Sequence, residues 1–297
     1  MTAAALTGLE PELTAVPGTV SVWCGPPDSP AEYCRNPAVT HSAASTMKVA
    51  VMAAAYRLAD AGRLSLDAEI DVHDDFESRS GAGTFRNDRD DDSDEQPWER
   101  LGGPAPLRWL IRRMIVKSSN LATNLVLEQV WARDQEAVTK VWRDAGAKNS
   151  VTARGIEDYA AQDAGLTHLV TAADLAALLA GIRAGRLATP SSCAEMLDIL
   201  LAQEIDDDIV RGLPEGTPVA HKNGWDEGIR HSAALILPAD APEFVLVTCM
   251  SAPLGEPGGR DLLARIAAAA WADRNTFAAG YVNGPAGHRL RRLPHIR

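Results

Sequence analysis

Ala44-Ser45-Thr46-Met47-Lys48 opens an Ala-rich apolar run, Val49 to Ala61, whose composition reads as a buried helix. A serine and a lysine three positions apart share one helix face, so the Lys48 amine can reach the Ser45 hydroxyl. A hydroxyl is a poor nucleophile until a base takes its proton. A buried amine with a lowered pKa is one such base. Serine and lysine at this spacing recur by chance in many chains, so the pair gains meaning only from two later segments.

The first is Lys117-Ser118-Ser119-Asn120, followed by Leu121-Ala122-Thr123-Asn124-Leu125. A serine and an asparagine two apart on a loop entering a helix can point the same way. Ser118 can relay a proton, and the Asn120 amide can hold a substrate carbonyl or the lysine. Helix capping by Ser118, Ser119 or Asn120 is the simpler account of the segment alone. The second is His221-Lys222-Asn223-Gly224-Trp225, at the end of a strand before the turn Asp226-Glu227-Gly228. A strand lysine facing a cleft attracts an anion, and a glycine beside it lets a substrate backbone approach. A lysine guarding a sheet edge is the structural alternative.

Around these segments the order is helix, two strands, many helices, three strands, helix. Residues 4–15 read as a helix. Thr19–Cys24 alternates as a strand, and Glu32–Arg35 returns beside it. Helices run from Ser45 to about Leu201, including Leu107–Val116, Ala122–Trp131, Gln135–Ala145 and Ala172–Ala184. Pro218–Trp225, Ile229–Leu237 and Glu243–Met250 read as an antiparallel meander, and Gly259–Asp273 as a last amphipathic helix. The expected fold is α+β: a five-stranded antiparallel sheet flanked by terminal helices, with an inserted all-helical subdomain. The sheet subdomain comprises residues 1–45 and 205–276, the helical subdomain 46–204, and a C-terminal tail 277–297. The cleft between the two subdomains is the expected site.

Asp74–Gly103 is rich in Asp and Gly and is expected to be a mobile, solvated loop. Asp88, Asp90, Asp92 and Glu99 have the acidic spacing of a calcium loop. Ser93 in place of the turn glycine and Pro97 inside the stretch argue against it, and no metal or other cofactor is expected.

The 297 residues are 46% hydrophobic, enough for a large core, and the net charge of −11 argues against nucleic acid. No apolar run approaches a membrane span. The start, Met1-Thr2-Ala3-Ala4-Ala5-Leu6, has no basic-then-apolar signal pattern, so the expected compartment is the cytoplasm. Cys193 and Cys249 read as buried thiols. Cys24 and Cys34 can face each other across a hairpin, although a reducing compartment disfavours a bond between them. A monomer or weak oligomer is expected.

Taken together and in this order, S-x-x-K, S-x-N and K-x-G resemble the serine penicillin-recognising enzymes, and within them the class A β-lactamase-like serine hydrolases. The similarity runs from about Val20 to Trp271. It rests on Ala44–Lys48, on Ser119–Asn124 and on the helix entry Thr171-Ala172-Ala173-Asp174-Leu175-Ala176. The resemblance implies that Ser45 is the nucleophile and Lys48 its base, acting directly or through water. Ser118 would pass the proton to the leaving atom. Asn120 would hold the substrate amide and orient Lys48, while Lys222 would anchor a carboxylate and tune Ser118. The N–H groups of Ser45 and Trp225 would form the oxyanion hole.

The chain also departs from that pattern. Ser119 replaces the usual aspartate, which puts the rigidity of its loop in question. Asn223 replaces a hydroxyl residue, and Trp225 is large. The E-x-x-L-N pattern that carries the deacylating glutamate is absent; in 154–166 the one glutamate is Glu157, with Asp158 beside it. Glu157 is either the base or a surface residue of a rebuilt loop. His231 reads as a cleft residue for a substrate anion or as a satisfied strand histidine, with Arg230 the other carboxylate contact. The expected function is an acyl-enzyme serine hydrolase rather than an efficient β-lactamase. Its substrate would be a small amide or ester, one that can bear a carboxylate for Lys222. Two alternatives stay open: a genuine class A β-lactamase using Glu157, and a catalytically silent binding protein.

Overall fold

The computed structural model describes residues 3–277. The chain opens with two short helices, Ala4–Gly8 and Glu10–Ala15, broken near Leu9 where one helix was expected. Strands β1 (Thr19–Gly25) and β2 (Tyr33–Arg35) follow. Late in the chain come β3 (Val219–Asp226), β4 (Ile229–Ile236) and β5 (Phe244–Ser251), then the helix Gly255–Asp273. The five strands form one antiparallel sheet in the order β3-β4-β5-β1-β2. The α+β architecture expected from the sequence is therefore the one observed.

Period-two alternation makes the sheet two-sided. Ala220, Ala233, Val245, Val247 and Cys249 pack into the core shared with the central helices. Val219, Ala234, Phe244, Leu246 and Val22 pack on the other face with Leu6, Leu13, Leu262 and Ile266 of the terminal helices. The same register corrects the cysteine reading. Cys24 lies opposite Tyr33 and Cys34 opposite Trp23, so the two thiols project from opposite faces; Cys24 is buried, Cys34 exposed, and both are free.

The central helices are set by their caps. Ser119 caps Asn120–Trp131 by accepting from Ala122 N–H, and Thr171 caps Ala172–Arg183 by accepting from Asp174 N–H. The buried Asp174 carboxylate then takes the N–H groups of Lys148 and Asn149 and the Ser150 hydroxyl, tying the preceding turn to this helix.

The acidic segment is not the unstructured loop its composition suggests. It holds a hairpin, Asp75–Glu77 with Thr84–Arg86, and a short helix, Glu95–Trp98. Several of its carboxylates are bonded within the fold rather than left to solvent. The Asp94 carboxylate caps that helix through Gln96 N–H and pairs with Arg113. Asp158, fully buried, takes the Ser78 hydroxyl and Arg79 N–H and fastens the hairpin to the loop near Glu157. The expected tail, 277–297, lies outside the described residues apart from Phe277, which packs on Phe244.

Candidate active site

Ser45 sits in a 3₁₀ turn, Ala44–Met47, that runs directly into the helix Lys48–Asp60. The helix is Ala-rich because it is buried nearly all round, as the sequence predicts. Ser45 is half-buried and lines a cavity of about 660 Å³, while Lys48 beneath it is fully buried. The Lys48 amine donates to the Ser118 carbonyl at 2.6 Å, the Ser118 hydroxyl at 3.3 Å and Asn120 Oδ1 at 3.0 Å. The predicted union of S-x-x-K with S-x-N is thus a direct hydrogen-bonded set. Among the described residues the Ser45 hydroxyl has no hydrogen-bond partner, an arrangement common before substrate tightens a site.

Burial lowers the Lys48 pKa to about 7, against the opposing charges of Asp92 and Glu157. A large fraction of the amine is then neutral near pH 7. The neutral amine has one lone pair and two N–H groups. The Ser118 carbonyl and Asn120 Oδ1 can only accept, so they take the two N–H groups. The lone pair is left for a hydroxyl.

Asn120 also reaches the other way. Its Nδ2 donates to Glu157 Oε1 at 3.2 Å, while Glu157 Oε2 accepts from Asp88 N–H at 2.6 Å. Glu157 is half-buried and lines the cavity, so it is not a surface residue of a rebuilt loop. Burial raises its pKa, and the hydrogen bonds from Asp88, Asn87 and Asn120 oppose that shift. Its backbone is held by Asn124, one turn after Asn120 on the same helix face. Asn124 Oδ1 accepts from Ile156 N–H at 2.8 Å, and its Nδ2 donates to the Ile156 carbonyl at 2.9 Å. A Cβ on Gly155 would stand 2.5 Å from Phe85 Cζ and 3.1 Å from Asn124 Oδ1, so a larger residue there would displace those side chains. Of four non-glycine residues with positive φ among the described ones, three are Ala44 (43°), Ser118 (60°) and Glu157 (67°), each at or beside a site group. Such strain persists where surrounding contacts over-determine the backbone.

The aspartate missing at position 119 is replaced from elsewhere in the chain. Asp92 Oδ2 accepts from the Ser119 hydroxyl at 3.1 Å, Leu121 N–H at 2.9 Å and Trp98 Nε1 at 3.0 Å. The acidic segment therefore holds the Ser118–Asn120 loop.

The K-x-G strand behaves differently from expectation. A Cβ on Gly224 would lie 2.7 Å from Ser45 N and 3.1 Å from Thr46 N. The glycine admits the Ser45 turn itself rather than a substrate backbone, and it brings β3 beside the Ser45 N–H. Lys222 is fully buried, and its amine donates to the Asn223 carbonyl at 2.8 Å. Burial and the Lys48 charge hold its pKa well below the usual lysine range, with Asp208 opposing. Asn223 is equally buried, its amide donating to the Ile205 carbonyl at 3.0 Å. Neither residue lines the cavity, so neither is placed to meet a carboxylate there.

His231 is also corrected: its Nδ1 accepts from Met250 N–H, which leaves Nε2 to donate to the Ser42 carbonyl. It is a satisfied, neutral strand histidine, its pKa lowered by burial. Trp225 and Arg230 do line the cavity, stacked across the β3–β4 register. Arg230 is 4% exposed and is already paired with Asp207 and Glu256.

Sequence reasoning missed three groups. Asn124 carried a signal, since it falls one helical turn after Asn120. Asp92 carried only the acidic spacing of a calcium loop, which does not point to the use the structure makes of it. His168, on the short strand His168–Val170, lines the cavity with its ring nitrogens buried, and its spacing gave no hint of it.

The fold recurs in solved structures. A β-lactamase from Sphaerobacter thermophilus DSM 20745 superposes with a TM-score of 0.74 at 23% identity, over 96% of this chain and 100% of that one. A β-lactamase from Xanthomonas campestris pv. campestris str. ATCC 33913 gives 0.76 at 20%, over 92% and 98%. A point mutant of PBP-A, solved as an acyl-enzyme complex with penicillin G, gives 0.75 at 20%, over 91% and 95%. No curated protein sequence matches. The sequence profile of the beta-lactamase enzyme family matches residues 3–273, which takes in both halves of the sheet and every segment around Ser45, and the chain belongs to that family.

Proposed function

We propose that the protein is a serine hydrolase that forms an acyl-enzyme at Ser45 and acts on small amides or esters. The observation that carries this reading is a half-buried serine facing a large cavity above a fully buried lysine bonded to Ser118 and Asn120. Neutral Lys48 takes the Ser45 proton, directly or through Ser118 or a water. The Ser45 oxygen then bonds to the substrate carbonyl carbon. The N–H groups of Ser45 and Trp225 are the expected oxyanion donors, and one such donor is worth about 10²–10³-fold in rate. Collapse breaks the bond to the leaving nitrogen or oxygen, which takes its proton from Ser118 as Lys48 returns one. Glu157 takes a proton from water as the water oxygen attacks the ester; the bond to the Ser45 oxygen then breaks, the acid leaves, and the proton passes from Glu157 to Ser45 by way of water or Lys48.

The Asn120–Glu157 hydrogen bond favours a second reading, in which β-lactams are turned over and not merely bound. The acyl-enzyme of the PBP-A mutant with penicillin G, a protein of the same fold, supports including penicillins among the substrates tried. The buried Lys222 and Asn223 favour slow β-lactam handling instead, because the cavity lacks their carboxylate contact. The test is intact-mass detection of an adduct on Ser45 across esters, amides and penicillins. An adduct lost in Ser45→Ala supports the proposal. A long-lived penicillin adduct beside rapid ester turnover decides against β-lactamase function, and no adduct from any class refutes the acyl-enzyme.

A further inference from the structure

The cavity over Ser45 carries more acid than base. The acidic segment and the loop after Arg154 contribute Asp91 and Glu157. The β3–β4 turn and the start of the last helix contribute Asp226, Glu227 and Glu256. Arg154 and Arg230 are the cations among its described lining residues. Arg230 is offset by Asp207 and Glu256; Arg154 and Asp91, Glu157, Asp226 and Glu227 have no ion-pair partner among the described residues, which leaves four carboxylates to one guanidinium. The free carboxylates share one space. The Tyr159 phenol at the rim is raised by burial and then by Glu157, Asp91 and Asp226, with Arg154 opposing. Tyr159, exposed at the rim, offers aromatic surface to a cation, whereas Trp225 already carries the Arg230 guanidinium.

Two further observations bear on what enters. His168 is 7% exposed and lines the cavity, with both ring nitrogens buried in the protein. Burial holds it neutral, its pKa lowered to about 3, so it adds no positive charge to the wall. The strand lysine that would answer a substrate carboxylate is turned to the Asn223 carbonyl.

We infer that the substrate of Ser45 carries an ammonium group, held among Asp91, Asp226 and Glu227 while its acyl carbon lies at the serine. This rests on the acyl-enzyme reading and adds the charge of the substrate to it. A cleft lined by unpaired carboxylates focuses its field and raises the local concentration of a cation, an effect that salt weakens.

The test uses p-nitrophenyl esters of three acids of matched length, ending in trimethylammonium, tert-butyl or carboxylate. The expected order of kcat/KM is cation, neutral, anion, with the cation favoured over the neutral ester by about 10-fold at low salt. That ratio is expected to fall as sodium chloride is added and to approach one in Asp226→Asn/Glu227→Gln. Labelling of Ser45 by a neutral fluorophosphonate is followed in parallel. If Ser45 is labelled but the neutral or anionic ester is preferred, the inference fails and the hydrolase reading stands. If Ser45 is not labelled and Ser45→Ala turns over the esters as well as the native protein does, the hydrolase reading fails and the inference with it.

Discussion

Removing the Asp92 carboxylate tests how a segment outside the three motifs governs the site. Asp92 takes three hydrogen bonds on Oδ2, from the Ser119 hydroxyl, Leu121 N–H and Trp98 Nε1, and one on Oδ1 from Asp94 N–H. Asp92→Ala leaves the Leu121 and Trp98 donors without that partner. Hydrogen bonds to a charged group contribute about 1.5–3 kcal/mol each, and the half-buried setting lets water recover part of this. The expected loss is about 2–4 kcal/mol, a fall in Tm of roughly 3–6 °C for a chain of this size. Asp92 also raises the Lys48 pKa against burial. Asp92→Asn keeps the side-chain shape and removes only the charge. Its Lys48 amine therefore loses its proton at lower pH, and the alkaline rise in Ser45 labelling shifts toward acid. The assays are thermal unfolding of Asp92→Ala and the pH dependence of fluorophosphonate labelling in Asp92→Asn. An unchanged Tm together with an unshifted labelling profile would refute the coupling.

Four other outcomes follow from the geometry. Glu157→Gln is expected to leave formation of the Ser45 adduct intact and slow its loss by about 10²-fold or more, read by time-resolved intact mass; equal adduct lifetimes would remove Glu157 from deacylation. Asn124→Ala frees the Ile156 peptide that aims Glu157, so deacylation slows more than acylation, and a uniform fall in both steps would point to general misfolding. Gly224→Ala places a Cβ 2.7 Å from Ser45 N, where only backbone can yield, so ester turnover is expected to drop about 10²-fold with circular dichroism unchanged. Lys48 has its folded pKa depressed from 10.5 to about 7, so between those values the unfolded chain binds a proton that the folded chain does not. Its contribution therefore makes stability rise with pH across that window, and urea titrations of native protein against Lys48→Met should show the rise flattened in the variant.

Much of the site could be read from spacing because its parts lie on regular elements. Ser45 and Lys48 share a helix face, and Ser118 and Asn120 flank a helix start, so fixed periodicity brings each pair together. The meander followed from alternating β-branched residues bounded by turns, whereas the place of β1 beside β5 had no local signal. Long-range partners were not legible. Asp92 reads as a solvent-facing charge in an acidic stretch, and Asp158 only as the neighbour of Glu157, yet their carboxylates are used by N–H and hydroxyl donors distant in sequence or on folded turns. Lys222 and His231 were placed on the right strands, but strand position does not reveal which acceptor a buried amine or imidazole finds. Here a neighbouring carbonyl takes each of them out of the cavity.

The central claim is that a buried, neutral Lys48 activates Ser45. The pH dependence of Ser45 labelling by a neutral fluorophosphonate, with the modified peptide mapped, measures it most directly. The expected rate climbs with a single ionisation at about pH 7, levels off above it, and collapses in Lys48→Met. A rate that is flat across the neutral range, or that rises only near the ordinary lysine pKa, would contradict it.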